Sequence, residues 1–80
     1  MPHTLAYVLI NASPGRALDA ARAIAGIERV KMAHAVTGVY DVICLIEAQS
    51  LEMLANTVVD EIQAVDGVER TQTALVVHVD

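Results

Sequence analysis

Apolar residues run without a break from Leu5 to Ile10, ahead of Asn11, and the absence of charge there predicts a strand, Leu5 to Ala12, buried on both faces. Ser13-Pro14-Gly15 ends it. Ser13 suits an N-cap with Pro14 at the first helical position, and Ala17, Leu18, Ala21, Ile24 and Ala25 then share one helical stripe, with Arg16, Asp19 and Arg22 facing away. A stripe made mostly of alanine predicts a helix lying close to whatever it covers. Gly26 ends that helix. From Ile27 to Thr37 the pattern alternates, with Val30, Met32, His34 and Val36 on one face and Lys31, Ala33, Ala35 and Thr37 on the other, as in an edge strand. Val42 to Ala48 is nearly all apolar and reads as a central strand. Gln49-Ser50 supplies the next cap, and Leu51, Leu54, Ala55, Val58, Ile62 and Val65 follow helical spacing, with Glu52, Asn56, Asp60 and Gln63 outside. Asp66-Gly67 stops this helix, and Val68 to Val79 reads as a last strand that starts polar and ends apolar.

The predicted order is βαββαβ, and an internal echo supports it: Gly26-Ile27-Glu28-Arg29 recurs as Gly67-Val68-Glu69-Arg70, each at a helix-to-strand junction. Two βαβ halves with right-handed crossovers interleave into an α+β ferredoxin-like sandwich, an antiparallel four-stranded sheet with two helices on one face. The first and third strands, the continuously apolar ones, belong at its centre. The other face of the sheet is left apolar and uncovered, so dimerisation through it is expected.

Composition strengthens that expectation. Eighty residues form one domain, and 55% of them are hydrophobic although only two, both tyrosine, are aromatic. A chain this short hides only about 60 to 65% of its unfolded surface, so self-association is the economical way to bury the surplus. The net charge of −5, with five basic residues spread along the chain, argues against a surface for nucleic acid. Cys44 stands alone in an apolar strand and reads as a buried small hydrophobe. Met1-Pro2-His3-Thr4 lacks the basic start of a signal peptide and no apolar run approaches bilayer length, so a cytoplasmic location and no membrane partner are expected.

Convergent catalytic groups are few. His3, His34 and His78 are far apart and lack metal-ligand spacing, so neither a metal nor another cofactor is expected. Ser13 and Ser50 are explained as caps, and Glu47, Glu52, Asp60 and Glu61 as a solvated surface. Met32, Met53 and Tyr7 read as core or interface filler. The corner Val36-Thr37-Gly38-Val39-Tyr40-Asp41 is the informative stretch. Gly38 supplies the positive φ of a tight turn, and Asp41 is a lone carboxylate before five apolar residues. Two readings of Asp41 stand side by side: closing the turn through backbone amides, or contacting a ligand. Thr71 and Thr73 share one face of the last strand, and they matter only if they point towards the corner.

The corner Ala35 to Val42, the Gly67-Val68 junction and the strand Arg70-Thr71-Gln72-Thr73 together resemble the effector-binding domain of the Lrp/AsnC family of transcriptional regulators, over nearly the whole chain. The resemblance implies the same fold, sheet-to-sheet dimers assembling further, and a free amino acid held between dimers, largely by the hairpin corner. It assigns ligand-binding roles to Gly38, Tyr40 and Asp41, and to Thr37, Thr71 and Thr73. Turn amides would meet the ligand carboxylate, and Asp41, Tyr40 and a threonine hydroxyl would complete the set. Two departures stand out. The first strand already begins at Leu5, so residues 1–80 are expected to be a stand-alone effector domain without a helix-turn-helix, and full-length Lrp/AsnC regulators are expected partners through co-assembly. Val39 occupies a position commonly acidic or polar in the family. The competing readings are a purely structural oligomer without ligand, and a small cofactor-free ferredoxin-like enzyme using His34 or His78.

Overall fold

The structure, a computed structural model, describes residues 3–77. The order is β1 (Thr4–Ala12), α1 (Ala17–Ala25), β2 (Val30–Ala35), β3 (Val42–Ala48), α2 (Leu51–Asn56) continued by a π-helical segment (Thr57–Ile62), and β4 (Val68–Leu75). The strands lie in the order β2-β3-β1-β4, every neighbour antiparallel. This is the expected ferredoxin-like sandwich with the continuously apolar strands in the middle. His78 and Val79, which the sequence places in the last strand, lie outside the described residues.

Only one face of the sheet is covered. Ala6, Val8 and Ile10 of β1 and Val42, Cys44 and Ile46 of β3 are buried against Ile24, Leu54, Val58 and Ile62 of the helical layer. The intervening Leu5, Tyr7, Leu9, Ile43 and Leu45 point to the other face, where Tyr7 is 42% exposed. The central strands are therefore one-sided in this chain, with an apolar open face. Burial pushes the Cys44 thiol up to about 11, which keeps it protonated and inert.

Helix α1 starts later than the sequence suggests. Pro14 and Gly15 (φ +79) form the centre of a type II turn closed by the Arg16 amide on the Ser13 carbonyl at 2.9 Å, so Ser13 precedes a turn and does not cap the helix. Its hydroxyl donates instead to Glu69, at 3.0 Å. The covered stripe is Ala17, Ala20, Ala21 and Ile24, a regular 3-and-4 spacing, while Leu18 is 62% exposed. Ser50 does cap α2, its hydroxyl accepting from the Met53 amide at 3.1 Å. Beyond it, the buried Thr57 hydroxyl donates to the Met53 carbonyl at 3.0 Å and accepts from Arg29 at 3.1 Å. That back-bond competes for a helical carbonyl, and the helix widens until the Gln63 amide reaches Val58, five residues back. The wider turn puts Thr57 and Ile62, also five apart, on the sheet side.

Both edge strands carry a bulge at the same relative place. Val30 pairs with Ile46 and Met32 with Leu45, leaving Lys31 extra; Ala12 pairs with Val68 and Asn11 with Arg70, leaving Glu69 extra. The first bulge corrects the alternation expected in β2: Val30 faces the helices, but Met32 and His34 face the open side. In each half the bulged side chain reaches the end of the adjoining central strand, Lys31 to Glu47 at 3.3 Å and Glu69 to Ser13. The preceding turns also match, Val30 bonding Ile27 and Val68 bonding Val65. The structural repeat thus superposes Val30 on Val68, three residues out of step with the sequence echo.

Ion pairs secure the ends of the elements. Arg16 meets Asp66 at 2.8 Å and Lys31 meets Glu47 at 3.3 Å, and the His3 ring shares a hydrogen bond with the same Glu47 carboxylate at 2.6 Å. These contacts hold the Asp66 and Glu47 carboxyls below their ordinary values near 3.8 and 4.5. A depressed carboxyl contributes stability above its ordinary value and loses that contribution as the pH falls through the lower folded value. Glu47→Gln is therefore expected to be less stable than wild type at neutral pH, with the gap closing on acidification below about 4, as followed by urea unfolding. The two serines also separate in this assay: Ser50→Ala is expected to lose about 1 kcal/mol and Ser13→Ala no more than about 0.5.

Candidate functional site

The β2–β3 corner does not simply reverse the chain; it folds across the end of β1 towards β4. The Val36 amide bonds the Asp41 carbonyl at 2.9 Å, closing the loop, and the Asp41 amide bonds Ile10 at 2.9 Å, pinning it to β1. Gly38 takes φ +115, open to glycine and strained for other residues, with no atom within 4 Å of where a Cβ would stand. The Asp41 carboxylate accepts from the Ala12 amide at 2.8 Å, beside the β1–β4 bulge. Ala12, like Ile10, turns its amide to the β3 side of β1, just past the end of the β3 ladder at Val42, and the Asp41 carboxylate takes the place of the missing ladder partner.

Two further bonds carry the corner over β1. The Asn11 side-chain amide donates to the Val39 carbonyl at 2.9 Å, and the Tyr40 hydroxyl donates to Gln72 of β4 at 2.8 Å. Between corner and β4 lies a groove of about 690 Å³, walled by Leu9, Val39 and Tyr40 and by the polar Asn11, Glu69, Arg70, Thr71 and Gln72. It opens onto the uncovered sheet face, because Leu9, Asn11, Arg70 and Gln72 share that side of the register.

Of the residues singled out from the sequence, Tyr40 and Thr71 line this groove, while Gly38 and Asp41 shape the corner that bounds it. Thr37 is exposed beside Gly38. Thr71 and Thr73 pair with Ile10 and Val8, so their side chains leave on the helix side, where the Thr71 hydroxyl accepts from Gln63 at 2.9 Å. Asn11, Arg70 and Gln72 are the groove residues that the sequence reading passed over. Their signal was the alternation itself: once Thr71 and Thr73 face the helices, Arg70 and Gln72 face the opening. No group of three or more metal-ligating side chains occurs among the described residues, nor does a helix long and apolar enough to cross a membrane.

Sheet order, one-sided helices and a corner groove define a small ferredoxin-like α+β domain with an open, partly polar cleft. The chain belongs to the Lrp/AsnC ligand binding domain family, whose model matches residues 5–79. The protein TTHA0845 from Thermus thermophilus is 34% identical, with a TM-score of 0.90 and 96% of each chain covered. AsnC of E. coli shares the fold at 21% identity and a TM-score of 0.86, this chain spanning 51% of its length. So does the transcriptional regulator NMB0573 of Neisseria meningitidis, in a complex with L-Met, at 18% identity and a TM-score of 0.82, with 94% of this chain and 50% of that one covered. No curated protein matches the sequence.

The Asp41 geometry has a measurable consequence without any ligand. Asp41→Ala leaves the Ala12 amide without its acceptor and is expected to lower stability by about 1 to 2 kcal/mol. Asp41→Asn keeps an acceptor oxygen and is expected to lose less than half as much in the same denaturation experiment.

Proposed function

We propose that the chain is an amino-acid-responsive effector module of the Lrp/AsnC type, assembling through its open sheet face and acting on transcriptional regulators without touching DNA itself. The observation that carries the reading is the groove at the corner, with Tyr40 anchored on Gln72 across β1 and the opening set on the uncovered face. A second subunit packed on that face completes the enclosure, and burial of Leu5, Tyr7, Leu9, Ile43 and Leu45 drives the packing. The L-Met complex of the Neisseria regulator supports the ligand class, and the Thermus protein, matched over 96% of its chain, shows the same fold in a chain of about this extent. A net charge of −5 supports a role away from nucleic acid. Co-assembly with full-length regulators is part of the proposal, supported by the shared fold. Ligand binding in the cytoplasm, and no catalysis, is the activity this implies.

The corner's proposed contribution is the turn amides at Thr37 and Gly38 and the Asp41 oxygen not engaged by Ala12, from the rim, while Val39 and Tyr40 wall the groove itself. Thr71 borders the groove from β4 with its hydroxyl turned to Gln63 on the helix side, and Thr73 faces that same side, so both stand behind the groove wall.

A thermal-shift panel of the twenty amino acids on the assembled protein tests the reading. A ligand at about 100 times its Kd adds roughly 2.7 kcal/mol, which moves Tm by several degrees in a domain of this size. A selective shift, weakened in Asp41→Asn, is the expected result. Uniform silence across the panel would instead favour a structural oligomer.

A further inference from the structure

Ten acidic residues face five basic ones in this chain, and four of the five cations are already engaged. Arg16 holds Asp66, Arg22 lies 3.7 Å from Asp19, Lys31 holds Glu47, and Arg29 donates to Thr57. Arg70 alone makes no ion pair and no side-chain hydrogen bond among the described residues, although Glu69 is its neighbour in sequence. The bulge explains why. Glu69 is the extra residue, its carboxylate turned to the Ser13 hydroxyl, while Arg70 pairs with Asn11 and keeps to the open side.

An uncommitted guanidinium in an acidic protein calls for a partner, and this one lines the groove between the corner and β4. Nothing in the fold requires a cation at the position. In the structural repeat the counterpart of Arg70 is Met32, next after the equivalent bulge and on the same open side of the sheet. The neighbouring groups are poised to help. The Gln72 oxygen is occupied by the Tyr40 hydroxyl, which leaves its amide hydrogens as donors, and the Asn11 amide is spent on Val39, which leaves its oxygen as an acceptor. Leu9, Val39 and the Tyr40 ring supply apolar wall.

We propose that Arg70 is the anchor for the carboxylate of the effector, with the Gln72 amide beside it, so that the groove selects small carboxylates carrying a short apolar group. This rests on the effector-module reading and deepens it, because it moves the charge that recognises the ligand from the corner to β4. A planar guanidinium meets a carboxylate with two parallel hydrogen bonds, a geometry that lysine does not reproduce. The ammonium of an amino acid is then a secondary contact, met by the Asn11 oxygen.

The test compares each of the twenty amino acids with its carboxamide, which keeps the ammonium and loses the carboxylate, and with 3-methylbutanoate and 4-methylpentanoate, which do the reverse for valine and leucine. Thermal shift and calorimetry are run on the assembled wild type and on Arg70→Gln, Arg70→Lys and, as a control, Arg22→Gln. The expected result is binding that is lost in the carboxamides, kept in part by the deaminated acids, and weakened about 10- to 100-fold by Arg70→Gln, with Arg70→Lys in between. Arg22→Gln should bind as wild type does. Arg70 sits exposed on an edge strand, so the variants are expected to match the wild-type Tm without ligand. If amino acids bind wild type and Arg70→Gln equally, or the carboxamides bind as well as the acids, the anchor is wrong and the effector reading stands. If no carboxylate binds, both fall.

Discussion

Two helices can cover only one face of a four-stranded sheet, and most of this structure follows from that limit. The covered face takes the even-numbered positions of β1 and β3, and small residues there, Ala6, Ala20 and Ala21, let α1 settle close to the sheet. The opposite face inherits Leu5, Tyr7, Leu9 and Leu45, too apolar to be a finished surface for a domain with so little interior. A groove placed on that face is open in one subunit and closed by whatever packs there. On the proposed reading, ligand site and assembly surface are a single surface, and an effector bound in the groove would alter the packing of its own enclosure.

The bulges are what give the one-sided sheet a functional end. A regular ladder would let the side chains of β2 and β4 alternate without interruption from the junction onwards, whereas one extra residue in each edge strand resets the alternation. In β2 the reset sends Met32 and His34 to the open face. In β4 it sends Arg70 and Gln72 there, while on the other edge of β1 the Ala12 amide, past the end of the β3 ladder, is met by Asp41. Turn closure and groove formation are therefore linked through one carboxylate: the contact that satisfies Ala12 also draws the corner across β1 and brings Tyr40 within reach of Gln72.

Much of this was legible in the sequence, for specific reasons. Continuous apolar runs marked β1 and β3 as central, Ser50 marked a helix start, and Gly38 marked the corner, because each is a local requirement that a residue type meets alone. What failed to show were choices between two competing local patterns, and choices set by distant residues. Ser13 reads as a cap until the positive φ of Gly15 turns Ser13-Pro14-Gly15-Arg16 into a type II turn. Leu18 outweighs Ala20 on a hydrophobic scale, yet the sheet takes the alanine because it permits closer approach. Thr57 looks polar, but its hydroxyl is matched by Met53 and Arg29, which are adjacent only in the folded chain.

The candidate site shows the same division more sharply. The corner was visible because a turn is encoded within six residues; the β4 wall was not, because its facing depends on a bulge that no single residue announces. The sequence echo drew attention to Glu69 and Arg70 but made them the counterparts of Glu28 and Arg29, whereas the two bulges make them the counterparts of Lys31 and Met32. That three-residue difference matters chemically. As the counterpart of Arg29, a cation that bonds a buried threonine, Arg70 would look like a repeated structural feature. As the counterpart of Met32 it is a charge where the other half of the repeat has an apolar side chain, and a charge that the fold does not need points to a use outside the fold.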